Sequence, residues 1–248
     1  MDYCLLAVEG PHDQAAIAKL LEISGFKKFK GDSNQLDPFW NGFIPIYPKN
    51  GDLYKRMDMP SVLTSTTQSV AIYVGGGSDL PKNINSILYN YEQYAKDIKA
   101  FGLIIDADLK KPKQLAVEKA LALHSVLPML SDEPGVITGG SPRTGIYILP
   151  DNKRAGVLDS MLLECASVVY PHHKEGAEKF LDSLAHVHNL RSFKKEKALV
   201  ASIVSILRPG MANTSSIAQD GWISRQTIDT VKDVALLYSF LKSLIGFD

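Results

Sequence analysis

The chain reads as an α/β protein, a mostly parallel sheet flanked by helices with a helical C-terminal extension, on three observations. From Tyr3 to Asn152, short apolar runs closed by turn residues alternate with stretches of helical spacing. Strands that alternate with helices predict a parallel sheet covered on its faces. After Gly156 the strand-like runs stop and helical spacing continues to the end. The predicted organisation is therefore an α/β core over residues 1–152, with 27–69 read as an insertion, and a mainly helical region over 153–248 that completes the site.

The elements follow in order. Tyr3 to Val8 is apolar and closes with Glu9-Gly10-Pro11, a buried strand ending in a turn. His12 to Ser24 places Ala16, Ile17, Leu20, Leu21 and Ile23 at helical spacing, with Gly25 as the stop. Residues 27–69 are rich in Gly, Asp, Asn and Pro and read as loop with one or two short strands, one of them Phe43 to Tyr47. Val70 to Val74 is a second buried strand closed by Gly75-Gly76-Gly77-Ser78, before a helix over about Asp79 to Lys96. Phe101 to Ile105 is a third, closed by Asp106-Ala107-Asp108 and followed by a helix over Lys113 to Leu127. Thr144 to Leu149 is a fourth, closed by Pro150-Asp151-Asn152. Helices are then expected over Val157 to Val169, Lys174 to Leu184, Lys194 to Leu207 and Thr227 to Ile245.

Composition narrows the function classes. The 248 residues are 45% hydrophobic and 22% charged, ordinary for a globular chain. With 27 basic and 27 acidic residues the net charge is +0, so no global field draws in a polyanion. Nucleic-acid binding would need a local patch or a bound cation. The two cysteines, Cys4 and Cys165, fall in apolar runs and read as packing residues. Nothing at the N-terminus resembles a signal peptide, and no apolar run approaches the length of a membrane span, so a cytoplasmic location is expected.

Ligands of an open parallel sheet bind beyond the carboxyl ends of its strands. Three of the four predicted strands end in chemically pointed residues: Glu9, the Gly75–Ser78 turn, and Asp106 with Asp108. Carboxylates gathered on one edge repel one another unless a cation lies between them. An all-oxygen donor set favours Mg²⁺ or Mn²⁺ over zinc. The glycine turn is open to two readings, an anion cradle formed by Gly76, Gly77 and Ser78, or close packing of strand on helix. Lysine clusters at 27/28/30, 110/111/113 and 194/195/197 are either phosphate contacts or solvated faces. Lys110 and Lys111, directly after the Asp-x-Asp, are the most suggestive. The histidines at 172, 173, 186 and 188 lack a carboxylate or cysteine at ligand spacing.

Two stretches carry a family resemblance. Leu6-Ala7-Val8-Glu9-Gly10-Pro11-His12-Asp13 resembles the first Toprim motif, and Gly102-Leu103-Ile104-Ile105-Asp106-Ala107-Asp108 resembles the second. The order of the intervening Val74-Gly75-Gly76-Gly77-Ser78 also suits Toprim domains. Gly145 to Asn152, then Gly156-Val157-Leu158-Asp159 and Lys197-Ala198, resemble a bacterial Toprim family related to the overcoming-lysogenization-defect (OLD) nucleases. Asp159 stands where that family usually has Glu, and Ser160 where a second acid is frequent. Glu164 lies five residues on, about 140° around a helix, and cannot simply substitute.

The resemblance implies a Toprim, Rossmann-like sheet and metal-dependent phosphodiester chemistry on DNA or RNA. Glu9, Asp13, Asp106, Asp108 and Asp159 would hold Mg²⁺ or Mn²⁺, with Glu9 also a candidate general base. Lys197 would offset transition-state charge, and Gly10, Gly76, Gly77, Ser78, Lys110 and Lys111 would contact substrate. Two other classes compete. One is a non-catalytic Toprim-like module that binds nucleotide, nucleic acid or a partner protein, favoured by Asp159. The other is an Asp-x-Asp nucleotidyl or glycosyl transferase, which leaves Glu9-Gly10 unexplained. A separate protein partner and a homodimer are both compatible with the helical C-terminal third.

Overall fold

A computed structural model describes residues 1–31, 35–43, 61–90, 96–184 and 193–247. Strands β1 (Asp2–Val8), β2 (Lys27–Lys28), β3 (Ser61–Thr64), β4 (Gln68–Val74), β5 (Ile98–Asp106), β6 (Ile137–Thr138) and β7 (Arg143–Leu149) form one sheet, in the order β2-β3-β4-β1-β5-β7-β6. The four inner strands are mutually parallel, and the outer pairings β2–β3, β3–β4 and β6–β7 are antiparallel. The predicted mostly parallel α/β sheet is therefore the fold.

The apolar runs of the inner strands are near-continuous because both faces are covered. In β1, Cys4, Leu6 and Val8 turn to one core while Leu5 and Ala7 turn to the other, all fully buried. The second face is sealed by α2 (Leu80–Asn90) and α3 (Pro112–Leu123), through Leu80, Ile84, Leu88, Leu115, Ala116 and Leu123. The first face takes α1 (Pro11–Ile23) and the C-terminal helices α4 (Leu158–Val169), α5 (Pro171–Asp182), α6 (Lys194–Leu207), α7 (Asn213–Gln219), α8 (Arg225–Thr230) and α9 (Lys232–Ile245). Residues of the helical extension thus share one core with β1, β4, β5 and β7.

Several boundaries differ from the sequence expectation. Thr227 to Ile245 is not one helix: Val231 is extended (φ −103°, ψ 109°), ending α8 and opening α9. Apolar spacing is blind to this break because Ile228, Val231 and Val234 stay buried on both sides of it. The short α7 and the two-residue edge strands β2 and β6 carry too little periodicity to be read. Within 27–69, β2 and β3 extend the sheet beyond β4, and the expected strand over Phe43 to Tyr47 lies mostly outside the described residues. Among the described residues, no helix is long and apolar enough to cross a membrane.

Both cysteines are fully buried, and burial pushes each thiol up to about 12. A thiol-specific chromophoric reagent is expected to leave both unmodified in the native protein and to titrate two after denaturation. Rapid modification of one equivalent in native buffer would contradict this packing.

Candidate functional site

The four parallel strands deliver their carboxyl ends to one edge, with Val8 level with Val74 and Ile104, and Asp106 level with Leu149. From β1 the chain moves outward to β4 and then returns across β1 to β5. The switch point of the winding therefore falls between β1 and β5, where a crevice opens in such sheets. Glu9 follows the last residue of β1, and Asp106 is the last residue of β5. Two carboxylates nearly a hundred residues apart in sequence thus flank one crevice.

The crevice is a cavity of about 370 Å³ lined by Glu9, His12, Asp13, Gly77, Asp106, Asp159, Lys197 and Asn213, with Gly10, Pro11 and Leu158. Asp13, in the first turn of α1, is 6% exposed and accepts the Gly10 N–H at 2.9 Å, capping its own helix. Asp106 Oδ1 accepts the Leu158 N–H at 2.8 Å, the first residue of α4, so the start of that helix faces a carboxylate. Asp159, 5% exposed, is the next residue of the same turn. Each of these carboxylates keeps at least one oxygen beyond those contacts.

Electrostatically the cluster is under strain. Burial raises the carboxyl of Asp106 well above its ordinary range, and Asp13, Glu9 and Asp108 raise it further against the Leu158 N–H. Asp13 is raised by burial, then by Glu9 and Asp159, with the Gly10 N–H and Lys197 opposing. Glu9 is raised by burial and Asp108, and Asp159 by burial, with the nearby Lys197 lowering both. Burial holds the His12 imidazole below its usual range, so it is neutral at neutral pH. Lys197 projects from α6, exposed and without a direct ion pair among the described residues, and its charge reaches Glu9, His12, Asp13 and Asp159.

A family model described as "Protein of unknown function (DUF3226)" matches residues 3–245. The chain belongs to this family. The crystal structure of a hypothetical protein from Pyrococcus horikoshii OT3 is similar over 98% of this chain and 95% of that one, with TM-score 0.57 and 18% identity. That likeness shows a shared fold. No curated protein matches the chain.

Of the residues singled out from sequence, this DUF3226 chain brings Glu9, Gly10, Asp13, Gly77, Asp106, Asp159 and Lys197 to the cavity wall. Asp108 is exposed beside it, in the left-handed region (φ 49°), near enough to raise both Glu9 and Asp106. Gly76, Ser78, Lys110 and Lys111 are not among the lining residues. Lys110 instead pairs with Glu118 at 2.9 Å, and Lys113 with Glu133. The cluster at Lys27 and Lys28 lies at the far edge: Lys27 is level with Thr64, Thr64 with Ser69, and Ser69 with Tyr3. Six residues of strand separate that level from Glu9, about 20 Å at 3.3 Å per residue.

The glycine turn divides between the readings. A Cβ on Gly75 would meet Leu80 Cα at 3.0 Å, which is close packing. Gly76 and Gly77 have open space but positive φ (74° and 63°), a left-handed backbone that favours glycine. Their turn is laced to the acidic edge by Gly75 N–H to Val8 O at 3.0 Å and Gly77 N–H to Glu9 O at 3.2 Å. Of the lining residues without a role assigned from sequence, two are polar, His12 and Asn213. His12 sits inside the Glu-Gly-Pro-His-Asp stretch, in the first turn of α1, three residues after Glu9. Asn213 gives no sequence signal, because α7 reaches the site by packing against α1 and α6.

The donor set suits a hard divalent cation by its chemistry: buried carboxylate oxygens, mutually destabilised, with no thiolate among them. Among the described residues, no three His, Cys, Asp or Glu side chains already converge as a finished metal shell. An ion such as Mg²⁺ keeps several waters and takes only one or two carboxylates directly. Glu9, Asp106 and Asp108 are the residues that would hold it, with Asp13 and Asp159 behind them.

Proposed function

We propose that this protein performs metal-dependent phosphodiester chemistry on nucleic acid, as a Toprim-type nuclease of the OLD-related kind. The observation that carries the reading is the gathering of Glu9, Asp13, Asp106, Asp159 and Lys197, from four separate stretches of sequence, around one cavity at the switch point of a parallel sheet. The resemblance of Glu9-Gly10 and Asp106-Ala107-Asp108 to the Toprim motifs supports it.

Glu9, Asp106 and Asp108 would hold a Mg²⁺ or Mn²⁺ ion, which when bound would supply Lewis-acid polarisation of a phosphodiester oxygen. Glu9 is the general base, taking a proton from the water whose oxygen bonds to phosphorus, while the P–O bond to the leaving sugar oxygen breaks and that oxygen takes its proton from solvent. Lys197 lines the same cavity, without an ion pair among the described residues, and counters charge that develops on the phosphate. His12, neutral, and Asn213 offer hydrogen bonds from the helical wall opposite the strand ends and orient the scissile group. The buried carboxyls Asp13 and Asp159 flank that space, and a cation there would favour their ionised forms.

A second reading, a binding module without turnover, is favoured by Asp159, one methylene shorter than the Glu usual in the family that the sequence resembles. One assay separates the two. Purified protein is incubated with labelled single-stranded, duplex and structured DNA and RNA in Mg²⁺, Mn²⁺ or EDTA, beside an Asp106→Asn/Asp108→Asn variant. Cleavage that needs metal and disappears in the variant is the expected result. Absence of cleavage, with Mn²⁺ still raising the melting temperature of the wild type alone, would replace the nuclease reading with the binding module. No response to metal of any kind would remove the acidic site from consideration.

A further inference from the structure

The segment 150–157 between β7 and α4 does not line the cavity, yet it holds both acids of the Asp-x-Asp in place. The Gly156 and Asp108 main chains pair in both directions, Asp108 N–H to Gly156 O at 2.9 Å and Gly156 N–H to Asp108 O at 3.0 Å. Two residues on, the Leu158 N–H fixes Asp106 Oδ1 at 2.8 Å. Where this segment lies therefore decides where the Asp106 carboxylate and the Asp108 backbone lie.

The segment is built to keep one shape. Asp151 Oδ1 accepts the N–H groups of Lys153 and Arg154, both at 2.9 Å. Asn152, left-handed at φ 66°, turns its Oδ1 back to the Ile148 N–H at 2.7 Å. These bonds shape the turn but tie it only to itself and to β7. At its end Val157 caps α4, its N–H donating to Ser160 Oγ at 3.4 Å, and the further attachment to the helical layer is Arg154. The guanidinium donates to Glu164 Oε1 of α4 at 2.7 Å and to Asp233 in the first turn of α9, with Asp151 Oδ2 at 3.6 Å. The Asp233 side chain is 6% exposed, and among the described residues Arg154 is the one cation within ion-pair reach of it. A buried carboxylate with a single partner fixes that partner firmly, since breaking the pair strands a charge. A planar fork can serve two carboxylates at once, whereas a lysine ammonium presents one point of charge.

We propose that Arg154 is a positioning residue for the acidic site: it latches segment 150–157 to α4 and α9, and through Gly156 and Leu158 it sets how Asp108 and Asp106 are presented to a divalent cation. The cation-affinity part rests on the metal-site reading above, whereas the latch itself does not. Groups that orient metal ligands from behind change metal affinity by about 10–100-fold when removed.

The test uses the full chain as wild type, Arg154→Lys, and the double variant Arg154→Met/Asp233→Asn, which removes the latch without stranding a buried charge. In EDTA, amide hydrogen exchange at Asp108, Gly156 and Leu158 is expected to quicken by about tenfold or more in the double variant, with amides of β1 and α1 unchanged. Mn²⁺ titration is expected to show about tenfold weaker binding, with Arg154→Lys intermediate. Exchange and affinity within twofold of wild type in folded variants would overturn the proposal. If the double variant does not fold, the same two readouts on Arg154→Lys decide it. A wild type that binds no Mn²⁺ would overturn the metal-site reading and the affinity part with it. The exchange measurement would then still decide whether Arg154 holds the loop.

Discussion

Asp106→Asn is expected to abolish metal-dependent cleavage and, in the same protein, to raise the melting temperature measured in EDTA at alkaline pH. The second effect follows from the cluster's electrostatics. Asp106 and Asp13 are carboxyls whose folded-state proton affinity is raised by burial and by their acidic neighbours. The folded state therefore binds more protons than the unfolded chain, and stability falls as pH rises. The sign is opposite to that of a salt-bridged carboxylate. The contribution is fully present below the unfolded value, about 4, and is lost as pH climbs through the raised folded values toward and past neutrality. An amide at position 106 keeps an oxygen for the Leu158 N–H and removes the charge. The expected gain at pH 8 is about 2–4 °C for each kcal/mol of repulsion removed in a chain of this size, and much less at pH 5. Mn²⁺ should stabilise the wild type in the same alkaline range and leave Asp106→Asn unmoved. Thermal denaturation at pH 5 and pH 8, with and without Mn²⁺, reads all of this. A variant less stable than wild type at pH 8 in EDTA would contradict the repulsion argument.

Gly156→Ala is expected to cost stability and to displace Asp108 together. A Cβ on Gly156 would sit 2.7 Å from Pro150 Cδ and 3.0 Å from Pro150 Cγ, and the proline ring cannot rotate away. Overpacking of this kind costs about 1–3 kcal/mol. Relief by moving residue 156 would break its two main-chain bonds to Asp108. Cleavage should therefore fall by about tenfold or more, on the scale of losing orientation behind a metal ligand. A control at Gly176, which faces open space on α5, should leave activity unchanged. Circular dichroism melts and cleavage rates of the two variants measure both effects. Full activity in Gly156→Ala would mean that the Asp108–Gly156 pairing does not hold the site.

The inner strands were legible because burial on both faces leaves an uninterrupted apolar run, as in Leu103-Ile104-Ile105 before Asp106. The ends of those runs were legible as a site because the next residue is charged, Glu9 after Val8 and Asp106 after Ile105. The edge strands were not, since β2 and β6 are two residues each and their pairing is set by β3 and β7 rather than by their own composition. The break at Val231 was hidden for a related reason, because an apolar residue stays apolar whether it continues a helix or ends one.

Local sequence determined the class of fold, the strand-end position of Glu9 and Asp106, and the chemical kind of site they suit, because strand burial and chain direction are properties of short stretches. Only the tertiary structure decided the rest. The winding order put β5 beside β1, so that their acids share a crevice. Docking of the helical layer onto α1 and the sheet brought Lys197 and Asn213 in. Lys110 pairs with Glu118 while its charge still reaches Glu9, and strand register sent Lys27 to the opposite edge. The role of Arg154 depends on Asp233, nearly eighty residues away, and no local pattern encodes which buried carboxylate a surface arginine will find.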